Sequence, residues 1–194
     1  MDKLILASRS PRRCELLSRL GIPFETFVPD VDESCALPAE EAVAELSRRK
    51  ALATASGCSG AFILAADTLV AAEGKVLGKP LDYADAARML HLLSGRRHHV
   101  YTGVTVVSPG GELFSETDQT AVTFCDIPEG EIMEYLNTDE PFDKAGSYAL
   151  QGRASFWVTR LEGSDTSVIG LPLYLVRDLL LKAGFPLLKM LKRN

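Results

Sequence analysis

The stretch LILASRSPRRCELLSRLG, residues 4–21, decides how the rest of the chain is read. Leu4, Ile5, Leu6 and Ala7 form an apolar run suited to a buried strand, and a small polar turn follows. Ser10 and Pro11 then open a helix, pairing a side-chain oxygen able to cap free amides with a residue whose missing N–H is no loss there. Leu17 and Leu20 recur at helical spacing with Cys14 on their face, and Gly21 closes the element. The charge runs against the usual pattern. A first turn favours Asp or Glu, and a capping box would place Glu or Gln at position 13, yet Arg12 and Arg13 stand there with Arg9 just before. The cluster becomes sensible if an anion is held at the turn by backbone amides, the Ser8 and Ser10 hydroxyls and guanidinium forks matched to phosphate oxygens. The competing explanation is arginines pointing into water.

Working outward, residues 24–28 (FETFV) suit a second strand ended by Pro29, and an acidic loop, PDVDESCALP, follows. From Pro38 the segment AEEAVAELSRRKALATA predicts a helix of about four turns, with Glu40 and Glu41 at its start and Arg48, Arg49 and Lys50 nearer its end. The run from Phe62 to Ala66 lacks alternation and fits a strand covered on both faces. Glu73 and Gly74 mark a hairpin turn, and GKP ends the return strand. A helix over 83–93 precedes a β-rich block with a PGG turn between two long strands that should pair antiparallel. A short helix over 129–136, a glycine-punctuated loop (DEPFDKAGSYALQG), a strand at FWVTRLEG and an apolar helix over 172–183 complete the order, with Phe156 and Trp157 read as core. The stripe Leu173, Val176, Leu179 and Leu180 is core or a dimer face. The mixture implies an α/β or α+β class, a mixed sheet flanked by helices.

A chain of 194 residues fits one domain, 1–194, or two small lobes sharing a core, with a tail from about 186 expected to be disordered. The net charge of −5 argues against a nucleic-acid polymer or a membrane surface as partner. If phosphate is bound, the basic residues must converge locally, which favours a small nucleotide. No apolar run approaches a membrane span and Asp2 and Lys3 do not begin a signal peptide, so a cytoplasmic protein is expected. Cys14, Cys35, Cys58 and Cys125 lie too far apart for zinc and are read as buried thiols.

Asp67, inside an apolar strand, is the leading catalytic candidate, because a buried carboxylate is costly unless paired, hydrogen-bonded or metal-bound; the alternative is a structural Asp capping local amides. Asp32 and Glu33, near Asp30, could hold Mg²⁺ together with substrate phosphates or form a solvated loop. GKVLGKP is one residue short of a P-loop and lacks its Ser or Thr, which rejects a Walker ATPase but leaves Lys79 as a possible phosphate contact. Lys50 offers the same choice between phosphate and helix dipole.

SRSPRRCELL, AADT, GKP, SG followed by YTGV, DKAGSYALQG and GLPL occur in an order that resembles the Maf family of nucleotide pyrophosphatases, from Leu4 to about Gly184. The resemblance implies an elongated mixed sheet wrapped by helices, with two lobes around a cleft, similar to inosine-triphosphate pyrophosphatases. It implies hydrolysis of a nucleoside triphosphate to the monophosphate and pyrophosphate with a divalent cation, Mg²⁺ or Mn²⁺. By matching position, Ser8, Arg12, Arg13, Lys50 and Lys79 would bind phosphates, Glu33 and Asp67 would serve metal and water with Asp67 as proton acceptor, and Arg12, Thr68 and Gln151 would set specificity. SPRR with ADT and DKAGSYALQG is similar to the branch preferring dTTP, UTP and modified pyrimidine nucleotides; Ser167, where many members carry Asn or Ala, departs from the pattern. A 7-methyl-GTP pyrophosphatase and a non-hydrolysing nucleotide-binding regulator of cell division are the alternatives. The resemblance also suggests a homodimer.

Overall fold

A computed structural model describes residues 2–190. In chain order the elements are β1 (Leu4–Ala7), α1 (Pro11–Ser18), β2 (Glu25–Phe27), α2 (Ala39–Gly57), β3 (Phe62–Ala72), β4 (Lys75–Leu77), α3 (Tyr83–Leu93), β5 (Arg97–Val107), β6 (Leu113–Phe124), α4 (Glu129–Leu136), β7 (Val158–Glu162), α5 (Asp165–Ile169), α6 (Leu173–Lys182) and α7 (Leu187–Met190). The strands form a mixed sheet in the order β2-β1-β3-β5-β6-β7, with β4 on β3. β1 runs parallel to β2 and β3, whereas β4 folds back antiparallel on β3 and β7 pairs antiparallel with β6. By contacts the chain divides into two units.

The first unit holds the described residues up to Asp67, Thr102–Asp118, and those from Gly170 onward. Its sheet meets α2 through small side chains: Ala7, Ala51, Ala61 and Ala65 pack with Ile5 and Ile63. The approach is closest at Gly103, where an added Cβ would lie 2.3 Å from the Val43 carbonyl oxygen. Beside it the buried Ser47 hydroxyl meets Thr105 Oγ1 at 2.9 Å, and Thr105 meets Ser115 Oγ at 3.0 Å. α2 runs to Gly57, two residues past the expected segment, and Arg48, Arg49 and Lys50 all lie before its last turn, where the helix dipole does not account for them. The apolar stripe of α6 is buried at Leu175, Val176, Leu179 and Leu180. Where a disordered tail was expected from about 186, residues 187–190 form a helical turn that buries Leu187; residues 191–194 lie outside the described residues.

The second unit comprises Thr68–Tyr101 and Gln119–Ile169. The β3–β4 hairpin turns through Glu73 (φ 50°) and Gly74 (φ 72°), two consecutive positive φ values of the kind that match strand twist. Asp82 caps α3 by accepting the Asp85 amide at 2.8 Å. Aromatic edges build the core: Phe124 meets Tyr148 and His98 at centroid distances of 4.9 Å each, and Tyr135 meets Trp157 at 4.9 Å. The expected strand at 156–163 begins two residues later. Phe156 and Trp157 belong to a 3-10 turn (Arg153–Trp157) instead, with Trp157 buried but Phe156 86% exposed. The cysteines are free and only half-buried, not buried thiols.

His98 is 1% exposed, its Nε2 is 2.9 Å from the Tyr148 hydroxyl, and burial pushes its pKa down to about 4. A neutral ring is therefore favoured in the folded chain, so the unfolded chain binds the extra proton between the two pKa values. Stability is retained above the ordinary histidine value near 6.5 and lost as the pH falls toward about 4. Urea melts at pH 7 and 5 should differ by roughly 2 kcal/mol more in the parent than in His98→Gln. Gly103→Ala should cost about 2 kcal/mol in the same assay, since a helix backbone, which does not yield like a side chain, blocks the new methyl.

Candidate active site

The first unit gathers Ser8, Arg12, Arg13, Glu33, Lys50 and Asp67. β1 ends at Ser8 in a tight turn whose amide is bonded to the Leu6 carbonyl at 3.0 Å. The anticipated cap is absent: Ser10 makes no side-chain bond to the amides of α1. Instead the buried Ser8 hydroxyl accepts from the Ser10 amide at 3.1 Å and from Arg13 Nη1 at 3.4 Å, stiffening the strand-to-helix turn from below. Arg13 also donates through Nε to the Gly170 carbonyl at 2.7 Å, tying the first turn of α1 to the segment before α6. Burial is the chief influence on this guanidinium and pushes its pKa down; Asp67 and Glu33 pull it up, and Arg12 opposes them. Those four charges therefore share one electrostatic neighbourhood, with Arg12 half-buried and Arg9 exposed.

At its centre is Lys50. The side chains of Lys50 and Asp67 are 11% and 12% exposed, and the ammonium donates to Asp67 Oδ1 in a short contact and pairs with Glu33 Oε1 at 2.8 Å. Asp67 reaches it from β3, Lys50 from the buried face of α2. Glu33, 57% exposed, comes from the acidic loop, which is not merely solvated. Arg49 Nη1 donates to the Asp32 and Ser34 carbonyls at 3.3 and 3.1 Å while its Nε bonds Glu45 at 2.8 Å. The Ser34 amide, 2.8 Å from Asp32 Oδ1, closes the loop and holds the Asp32 carboxyl below the usual carboxylate range. Arg49 escapes a reading from charge runs alone, although the Glu45–Arg49 helical spacing was a usable signal.

Among the described residues no three His, Cys, Asp or Glu side chains converge as a metal cluster. Glu33 and Asp67 nevertheless aim hard oxygens at one cationic nitrogen. Two carboxylates suit Mg²⁺ or Mn²⁺ when phosphate oxygens and water complete the shell, so the donor set fits such an ion with a nucleotide present.

Thr68, Lys79 and Gln151 belong to the second unit. Thr68 is half-buried and follows Asp67 on β3, Lys79 is exposed just after β4, and Gln151 is exposed on the loop before the 3-10 turn. The loop at 78 and the one at 146 are joined by the Gly146 amide, which donates to the Gly78 carbonyl at 3.1 Å. Gly146 is required there: its φ is 70°, and a Cβ would press on Val70 at 3.0 Å.

A mixed sheet flanked by helices has counterparts among known structures. The Ham1 protein of Staphylococcus aureus matches with a TM-score of 0.55 at 13% identity, over 93% of this chain and 99% of its own, and so shares the fold. The Maf-like protein family matches residues 3–183, and the chain belongs to it. A dTTP/UTP pyrophosphatase of Moorella thermoacetica is 51% identical over 183 residues, covering 93% of this chain and 94% of that protein. Another dTTP/UTP pyrophosphatase, from Symbiobacterium thermophilum, is 46% identical over 189 residues, covering 96% and 97%. Among the described residues no helix is long and apolar enough to cross a membrane.

Removing one partner of a buried pair strands the other. Lys50→Met should therefore cost roughly 3 kcal/mol, whereas Asp67→Asn should cost less, because Lys50 keeps Glu33 and the new amide still accepts a hydrogen bond. The double variant should recover most of the Lys50→Met loss in chemical denaturation; equal losses from the two single changes would show that Glu33 does not share the ammonium.

Proposed function

We propose that this chain is a nucleoside triphosphate pyrophosphatase that cleaves dTTP, UTP and modified pyrimidine triphosphates between the α and β phosphates. The observation that carries the reading is the buried Lys50–Asp67 pair, shared with Glu33 and set beside Arg13. A carboxylate kept in such a place beside basic residues is costly for a protein that only binds phosphate, and useful to one that must move a proton. The dTTP/UTP specificity is supported by relatives of that description that are 51% and 46% identical along nearly their whole length.

In this reading Arg12, Arg13 and Ser8 form the phosphate-binding turn. Ser8 and the Gly170 carbonyl fix the Arg13 guanidinium before substrate arrives, so its charge needs little reorganisation. Asp67 accepts a proton from the water that attacks the α phosphorus; the bond to the bridging oxygen breaks, and pyrophosphate leaves with the electron pair. Lys50 offsets the charge on the leaving group, the role proposed for Lys79 as well. A divalent cation held by Glu33 and Asp67 would supply Lewis-acid polarisation of the phosphate oxygens and a more acidic water. Thr68, Gln151 and Arg12 read the substrate. A cytoplasmic homodimer that clears nucleotides from the pool completes the proposal.

Pyrophosphate release from a panel of dTTP, UTP, CTP, GTP and 7-methyl-GTP, with Mg²⁺, with Mn²⁺ and with chelator, tests it. Turnover should favour dTTP and UTP and vanish in chelator; preference for 7-methyl-GTP, or binding without release, would sink the assignment. Asp67→Asn should remain folded and bind nucleotide while losing about a thousandfold in turnover.

A further inference from the structure

The loop carrying Gln151 is not held by its own backbone alone. Glu140, just beyond α4, turns its carboxylate onto the two residues that follow Gln151: Oε2 accepts the Arg153 amide at 3.2 Å. At Gly152 the fit leaves no room for a side chain, since a Cβ would lie 2.1 Å from Glu140 Oε1 and 2.4 Å from Oε2. Behind the carboxylate, the Tyr135 hydroxyl donates to Oε1 at 3.0 Å and accepts the Ala149 amide at 3.3 Å. The Gly152 amide closes the turn on the Ala149 carbonyl at 3.1 Å. Gln151 is thus bracketed at 149 and at 152–153 by one tyrosine and one glutamate.

The bracket is itself anchored. Tyr135 comes from α4 and packs against the Trp157 ring, which is fixed by its indole N–H to Glu131 at 2.8 Å. Lys144 donates to the Glu140 carbonyl at 2.7 Å, and the Glu140 amide reaches Thr138 Oγ1 at 3.3 Å, so the carboxylate is presented from a held backbone. The reinforcement fixes the backbone on both sides of the exposed Gln151 side chain, as a functional group carried on a loop requires.

We propose that Glu140 is a positioning residue for base selection, fixing Gln151 through the Gly152–Arg153 backbone and the Tyr135 hydroxyl. The inference rests on the reading of Gln151 as a base-side residue. Its consequence is specific: loosening the bracket degrades discrimination among bases and leaves the phosphate chemistry, which uses other side chains, in place.

The test compares Gln151→Ala, Glu140→Ala, Glu140→Gln, Gly152→Ala and Tyr135→Phe by kcat and KM on UTP, CTP and GTP, with thermal melting alongside. Gly152→Ala drives the carboxylate off the loop without deleting it, and Glu140→Gln retains the side-chain length and one acceptor oxygen, enough for either the Arg153 amide or the Tyr135 hydroxyl. Gly152→Ala and Glu140→Ala should raise KM for UTP about tenfold and cut the UTP-over-GTP ratio of kcat/KM by a similar factor, as Gln151→Ala does, with kcat within about threefold. Tyr135→Phe should fall between, and Glu140→Gln, which keeps one of the two acceptors, should recover part of the ratio. If Gln151→Ala alters the ratio while folded Gly152→Ala and Glu140→Ala leave it at the parent value, the positioning role is overturned and the Gln151 reading stands. If Gln151→Ala itself leaves the ratio unchanged, the base-reading role fails and takes the proposal with it.

Discussion

Everything in the first unit answers to one ammonium group. Lys50 sits on the buried face of α2 with carboxylates from a strand and a loop drawn onto it, and neither carboxylate could be kept so close to the other without that charge between them. The need to satisfy Lys50 explains why β3 carries an acid in an apolar run, why the acidic loop folds over α2, and why Arg49 is spent on that loop's carbonyls. Charge neutralisation and local folding are here a single constraint, and it draws both carboxylates into the electrostatic neighbourhood of Arg13.

The two units carry different candidate groups. One carries basic groups and a carboxylate pair suited to a polyphosphate, on rigid elements backed by alanine-rich packing. The other carries Thr68, Lys79 and Gln151 on a strand and on loops tied together by backbone bonds and an aromatic core. The two sets of candidate residues are therefore held by separate supporting contacts.

Much of this was legible from residue pattern. The apolar run before Ser8, the proline at 11, the unalternating strand leading to Asp67 and the Glu73–Gly74 turn each express a local rule strong enough to survive tertiary context. Asp67 stood out because burial of an acid is itself a signal. The misses arose where a long-range partner overrode a local preference. Ser10 leaves its capping position unused because Ser8 and Arg13 organise the turn. Lys50 reads as a helix-dipole charge until Asp67 and Glu33 are seen to converge on it. Phe156, hydrophobic by type, is left outside when the 3-10 turn points Trp157 inward. Glu140 and Arg49 look like ordinary surface charges in a linear chain, and their roles exist only through residues about a dozen positions or more away.

The row of hydroxyls formed by Ser47, Thr105 and Ser115 has a mechanical consequence. Ser47 precedes Lys50 by one helical turn on the same buried side of α2, and its oxygen is pinned to β5 at 2.9 Å. Sliding the helix along its axis by a single residue, about 1.5 Å, would break that pin and drive Val43 off the groove left by Gly103. The lysine nitrogen is therefore gauged against the sheet as a bolt is by its dowel, and its alignment with Asp67 in the middle of β3 is inherited from Ser47 and Gly103, two small residues away from the charges themselves.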